Sequence, residues 1–119
     1  MPKRILIAED DLEVKELLTM MATRFGYEVT SVTDGAELLA IVAEKRFDVI
    51  ITDLIMPNLN GASAAEILKL QGNTTPVIAL TALNRQDLAL VTNKFIRVFH
   101  KPYDVRELFQ YVDSLPTVE

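Results

Sequence analysis

The sequence predicts an α/β fold: an open, five-stranded parallel sheet in the order 2-1-3-4-5 with helices on both faces. Two observations predict it. Short, almost continuously apolar runs alternate with segments of helical period along the whole chain. Runs of that kind suit strands covered on both faces, as in a parallel sheet whose crossovers are helices. Right-handed crossovers leave few topologies, and 2-1-3-4-5 is a common doubly wound order for five strands. The order comes from the fold class, since periodicity alone does not give it.

The elements follow in sequence. Arg4 to Ala8 reads as a buried strand. Val14, Leu17, Leu18, Met21 and Phe25 then mark one helix face, and Gly26 is placed to end that helix in a left-handed conformation. Tyr27 to Val32 is a second strand. Asp34 begins a second helix with Glu37 as its capping-box partner, and Leu38, Leu39 and Val42 form its stripe. Val49 to Thr52 is a third strand that runs into Asp53. The loop MPNLNG leads to a third helix, for which Ser63 and Glu66 make a candidate capping box. Val77 to Leu80 is the fourth strand, opened by Pro76. A fourth helix is expected over about Arg85 to Lys94, and Ile96 to Phe99 is the fifth strand. Asp104 and Glu107 cap a last helix with Val105, Leu108, Phe109, Val112 and Leu115 as its apolar face.

Composition narrows the function. At 119 residues the chain suits one compact domain over 1–119 and not two. It has no cysteine, which excludes disulfides and thiolate metal sites. A formal charge of −5 argues against direct nucleic-acid binding. No apolar run approaches a membrane span, and MPKRILIAEDD cannot act as a secretory signal. The expectation is a soluble cytoplasmic domain.

In such a sheet, sites form beyond the carboxyl ends of the strands where strand order reverses. There the first strand delivers Glu9, Asp10 and Asp11, the third Asp53, the fourth Thr81, and the fifth Lys101 followed by Pro102. Strands 1 and 3 are neighbours at the switch point, so Asp10 should face Asp53. Clustered carboxylates raise one another's pKa unless a cation neutralises them. Mg²⁺ fits, because it takes one or two carboxylates, keeps waters and accepts phosphate oxygens. Phosphoryl transfer needs a nucleophile, a metal and groups for the equatorial oxygens. Asp53 can be the nucleophile, Lys101 the countercharge and Thr81 the hydroxyl donor.

The stretches ILIAEDD, DVIITDLIMPNLNG, PVIALTA and VFHKP, in that order and at the ends of alternating strands, resemble the receiver domain of the response-regulator family. Singly they are weak signals; together they are specific. The resemblance implies that Asp53 accepts a phosphoryl group from a sensor histidine kinase or histidine phosphotransfer protein. It implies Mg²⁺ held by Asp10, Asp53 and the Ile55 carbonyl with Glu9 alongside, Thr81 as switch hydroxyl, Lys101 on the phosphoryl group, and a cis peptide before Pro102. It implies output to a downstream effector through the fourth helix, fifth strand and fifth helix. It also implies no enzymatic activity beyond the chain's own phosphoryl transfer and dephosphorylation. Val98 departs from the family at the switch position, where relatives carry an aromatic ring, and the stretch from Thr81 to Lys101 is short.

Plainer readings apply to several of these residues. Asp11 caps the first helix. His100 reads as a strand-end residue, and Met20, Met21 and Met56 as packing residues. A haloacid-dehalogenase-type phosphatase would need a second acid two residues after its nucleophile, where this chain has Ile55. A flavodoxin-like carrier would need a phosphate loop after the first strand, where this chain has EDDLEV. The second-ranked alternative is a degenerate receiver that works as a phosphorylation-independent interaction module.

Overall fold

A computed structural model describes residues 2–83, 86 and 92–117. The chain alternates strand and helix: β1 (Arg4–Ala8), α1 (Leu12–Arg24), β2 (Glu28–Val32), α2 (Gly35–Val42), β3 (Val49–Asp53), α3 (Gly61–Leu70), β4 (Val77–Thr81), a short 3-10 turn (Thr92–Lys94), β5 (Arg97–His100) and a C-terminal helix (Val105–Ser114). The five strands form one sheet in the order β2-β1-β3-β4-β5, as expected. All pairs are parallel, with Ile7 opposite Ile51, Ile51 opposite Ile78, and Thr81 opposite His100.

Alternation along the strands feeds two cores. Ile5, Ile7, Ile51 and Leu80 point to the side covered by α1 and the C-terminal helix. Leu6, Ala8, Ile50 and Ala79 point to the side covered by α2 and α3. β3 and β4 are buried at every position, which is why their sequences read as unbroken apolar runs.

The caps explain where helices start and stop. Asp34 takes the Glu37 backbone N–H at 2.9 Å, as expected of an N-cap, and the Glu37 carboxylate accepts from Thr33 N–H at 2.6 Å. Gly26, at φ +89, ends α1 with Tyr27 N–H donating to the Ala22 carbonyl at 3.2 Å. That is the Schellman pattern, whose left-handed residue favours glycine.

Several expectations need correction. The cap of α3 is Asn60, not Ser63: Asn60 Oδ1 accepts from the Ser63 N–H at 2.8 Å. The buried face of α1 runs through Leu18 and Ala22, while Leu17 and Phe25 are exposed. Both are apolar, but a helix hides a limited arc and α1 spends it on Leu18 and Ala22. Met20 is exposed as well, whereas Met56 is buried. Tyr27 and Ile96 lie one residue before their strands. Leu108, Phe109 and Val112 are buried on the C-terminal helix, as expected. The helix expected over about Arg85 to Lys94 falls mostly outside the described residues, as do Leu88 and Val91, expected with Phe95 to pack on the sheet, and Leu90, expected to be exposed. Phe95 just beyond is buried.

Candidate functional site

The site lies where β1, β3, β4 and β5 end together. β1 and β3 pair directly up to Ala8 and Thr52, so the residues that follow, Glu9 and Asp53, emerge side by side. Glu9 N–H donates to the Val32 carbonyl at 3.1 Å, which holds its backbone to β2. Asp10 is exposed beyond it. Asp11 caps α1, accepting from Glu13 and Val14 N–H at 3.0 and 3.2 Å. Its carboxylate is spent on the helix end, as its position predicted.

Asp53 is 6% exposed, and its two oxygens have different neighbours. Oδ2 lies 2.5 Å from Lys101 Nζ, and Oδ1 accepts the Ile55 backbone N–H at 3.0 Å. Lys101 reaches Asp53 because its own N–H extends the ladder, donating to the Thr81 carbonyl at 2.8 Å. The Lys101–Pro102 peptide is cis, as expected. Lys101 Nζ also lies 3.7 Å from Glu9 Oε1.

Glu9, Asp10 and Asp53 each bring a carboxylate oxygen within 4.8 Å of the others. Glu9 is 1% exposed, and neither of its oxygens has a hydrogen-bond partner. Burial is the main reason its pKa is pushed up to about 8, with the adjoining Asp53 adding to the rise and Lys101 opposing it. Burial works against the Lys101 ammonium, yet the Asp53 hydrogen bond and the charges of Asp53 and Glu9 outweigh it and raise its pKa. Tyr103, also drawn into this end, is pushed up to about 12, chiefly by burial. Three carboxyl groups face one ammonium, so with all three ionised two negative charges would go unmatched, and the raised Glu9 pKa reflects that crowding as well as burial. A divalent cation with a preference for oxygen ligands fits that deficit and the orphaned Glu9 oxygens.

The remaining expected residues are placed unequally. Thr81 is fully buried, and its hydroxyl oxygen accepts the Leu83 backbone N–H at 2.9 Å. Ile55 is 59% exposed at the rim. Val98 is half-buried opposite Ala79 and packs on the α3 side of the sheet. His100 is exposed.

Asn60-Gly61 reads as a turn signal that leads into a helix, and Gly61 was not among the expected site residues. A Cβ there would overlap the Asp53 carbonyl oxygen and crowd Thr52 Oγ1, so α3 can start against the end of β3 only without a side chain. Thr52 Oγ1 donates to that same carbonyl at 2.9 Å. The signal was present in Asn60-Gly61, a cap followed by glycine, but the close approach is a tertiary fact.

Comparisons with known proteins agree with this geometry. The family model for the response regulator receiver domain matches residues 5–113. Transcription factor SKN7 of Candida albicans is 33% identical over 108 residues, covering 88% of this chain and 19% of that protein. The chain spans less than half the length of the curated relatives it matches. The receiver domain of the Francisella response regulator 1452 superposes with a TM-score of 0.89 at 30% identity, covering 93% of each chain. A receiver domain of a sensor histidine kinase from Pseudomonas aeruginosa PAO1, solved with a magnesium ion coordinated in its active site cleft, gives 0.88 at 28% identity, covering 97% of this chain and 98% of that one. Among the described residues, no helix is long and apolar enough to cross a membrane. In sequence, fold and the convergence of its strand ends, the chain belongs to the family of receiver domains of two-component response regulators.

Proposed function

We propose that Asp53 is the phosphoacceptor of this receiver, taking a phosphoryl group from a phosphohistidine on a sensor kinase or phosphotransfer protein. The observation that carries this reading is the state of Asp53. It is a nearly buried carboxylate at the end of a fully buried strand, with an ammonium on one oxygen and an acidic pair beside it. An Asp53 oxygen attacks phosphorus in line; the O–P bond forms as the P–N bond to the donor imidazole breaks, and the imidazole nitrogen leaves with the electron pair and is protonated.

Glu9, Asp10, Asp53 and the Ile55 carbonyl would hold Mg²⁺, which when bound supplies charge neutralisation for the phosphoryl oxygens. Lys101 balances the charge of Asp53 before transfer and of the phosphoryl group after it. Ile55 N–H orients the carboxylate. The Thr81 hydroxyl turns to the phosphoryl oxygens and reports their presence to the loop that follows β4. Output then passes to an effector domain or protein through the surface around β5 and the C-terminal helix. The chain's chemistry is its own phosphorylation and dephosphorylation, carried out by a single cytoplasmic domain. No feature of the site favours a receiver that works without phosphorylation.

Intact-mass measurement after incubation with acetyl phosphate and Mg²⁺ tests the assignment. Wild-type protein gains one phosphoryl group and Asp53→Asn gains none. An equal gain in the variant would refute it.

A further inference from the structure

The loop from β3 to α3, residues 54–60, carries Ile55, whose N–H holds Asp53 Oδ1 at 3.0 Å. Two hydrogen bonds tie this loop sideways to the start of α2. Gly35 N–H donates to the Leu59 carbonyl at 2.9 Å, and Asn58 Nδ2 donates to Asp34 Oδ2 at 2.7 Å. Asp34 divides its carboxylate between two tasks, because Oδ1 caps α2 through the Glu37 N–H. The group is 9% exposed, and the Glu37 N–H and the Asn58 amide hold its pKa below the usual carboxylate value. A Cβ on Gly35 would overlap the Leu59 carbonyl oxygen, so α2 sits flush against the loop.

Asn58 adopts φ +65, the left-handed region that side chains disfavour. Glycine would suit that backbone better; asparagine accepts it at a cost and brings an amide that reaches Asp34. The cost is matched by a contact that glycine cannot make, at the loop that orients the acceptor.

Resting on the reading of Asp53 given above, we propose that Asp34 and Asn58 are a positioning pair for the phosphoacceptor: the Asn58–Asp34 hydrogen bond clamps the 54–60 loop to α2 and so fixes the Ile55 backbone against Asp53. Neither residue touches the reacting atoms. Releasing the clamp leaves the carboxylates in place but lets the Ile55 peptide wander, which weakens both its N–H bond to Asp53 and its availability to a cation.

The test uses Asn58→Gly, which keeps the left-handed backbone and removes the amide. Amide hydrogen exchange on the metal-free protein reads Ile55 directly, with the Ile50 amide in the centre of β3 as the control for global stability. Ile55 exchange should quicken about tenfold while Ile50 stays unchanged. In a Mg²⁺ titration followed by amide shifts, the dissociation constant should rise about tenfold, the range seen when a supporting contact behind a metal ligand is lost. Saturating Mg²⁺ should restore the phosphorylation yield. Should Asn58→Gly melt the fold, Asp34→Asn, which keeps the cap oxygen and loses the acceptor for Asn58, is read in the same way. Ile55 exchange at the wild-type rate in the folded variant overturns the proposal whatever the metal affinity. Failure of Asp53 as acceptor would show in the mass experiment and leave the exchange result standing.

Discussion

The Lys101 ammonium sits 2.5 Å from Asp53 Oδ2 and 3.7 Å from Glu9 Oε1, one cation shared between two buried carboxylates. A buried charge that loses its partner is strained, and a positioned cation matters most where charge builds on a transferring group. Lys101→Met should therefore slow phosphorylation by acetyl phosphate about 100-fold, while Mg²⁺ still binds within a few-fold of wild type. Stopped-flow or quenched mass measurement checks the rate. A variant phosphorylated at the wild-type rate would remove Lys101 from the mechanism.

Asp10 is the exposed member of the carboxylate cluster. Asp10→Asn removes one carboxylate from the crowded cluster, so the metal-free protein should keep or gain thermal stability while Mg²⁺ affinity falls at least tenfold. Thermal melts with and without Mg²⁺ separate the two effects. Normal Mg²⁺ binding, or loss of the fold, would contradict the assignment.

Glu9 makes stability depend on pH in an unusual direction for a carboxylate. Its pKa in the folded chain is raised to about 8 from the ordinary 4.5, chiefly by burial. Between those values the unfolded chain has released the proton that the folded chain keeps. Metal-free stability should be fullest below pH 4.5 as far as this group is concerned, and should fall as pH rises towards 8. Asp53, Asp10, Lys101 and Tyr103 face it, and only Lys101 opposes the rise. A loss of about 3 kcal/mol, near 12 °C in Tm for a domain of this size, is expected between pH 5 and 8. Glu9→Gln should flatten that slope. A slope unchanged by the substitution would assign it elsewhere.

The phosphoryl group should be long-lived. Ile55 is largely exposed at the rim and Leu83 half-exposed, and the two line one depression next to the end of β3 with Met56 and Ala62. Neither side chain can orient a water by hydrogen bonding. Ile55→Asn combined with Leu83→Glu should speed dephosphorylation about tenfold or more. Decay followed by mass or by ³²P loss, unchanged in the double variant, would sink the water-access argument.

Thr81 spends its hydroxyl oxygen on the Leu83 N–H at 2.9 Å. A swing of the Thr81 side chain towards a phosphoryl oxygen is expected to break that bond, because the β4 backbone is fixed by its ladder to β3 and β5, whereas rotation of the hydroxyl proton alone would keep it. Beryllofluoride, standing in for the phosphoryl group, should quicken amide exchange at Leu83 and alter it through Lys94. Val98 packs without a ring to swing, so the first movement is expected in the loop after Thr81. Equal protection in both states would leave a side-chain-level switch as the better account.

Much of this was legible in the residues themselves. The unbroken apolar runs VIIT and VIAL give β3 and β4, because strands covered on both faces have no polar side to show. Asp34 and Asp104 announced their helices, since capping is a local bond between a side chain and the next turn. Glu9, Asp10, Asp53, Thr81 and Lys101 were legible as a set, because strand ends in a doubly wound sheet share one edge. What the sequence could not decide depends on packing between distant segments. Leu17 and Leu18 are the same residue type, and only the direction in which α1 lies on the sheet buries one and exposes the other. Glu9 and Asp10 are both acids, yet only the fold buries Glu9 and leaves its oxygens without hydrogen-bond partners. Asn58 and Asp34 lie 24 positions apart. Their bond exists because α2 is docked against the β3–α3 loop, and docking is a property of the assembled sheet, not of either segment.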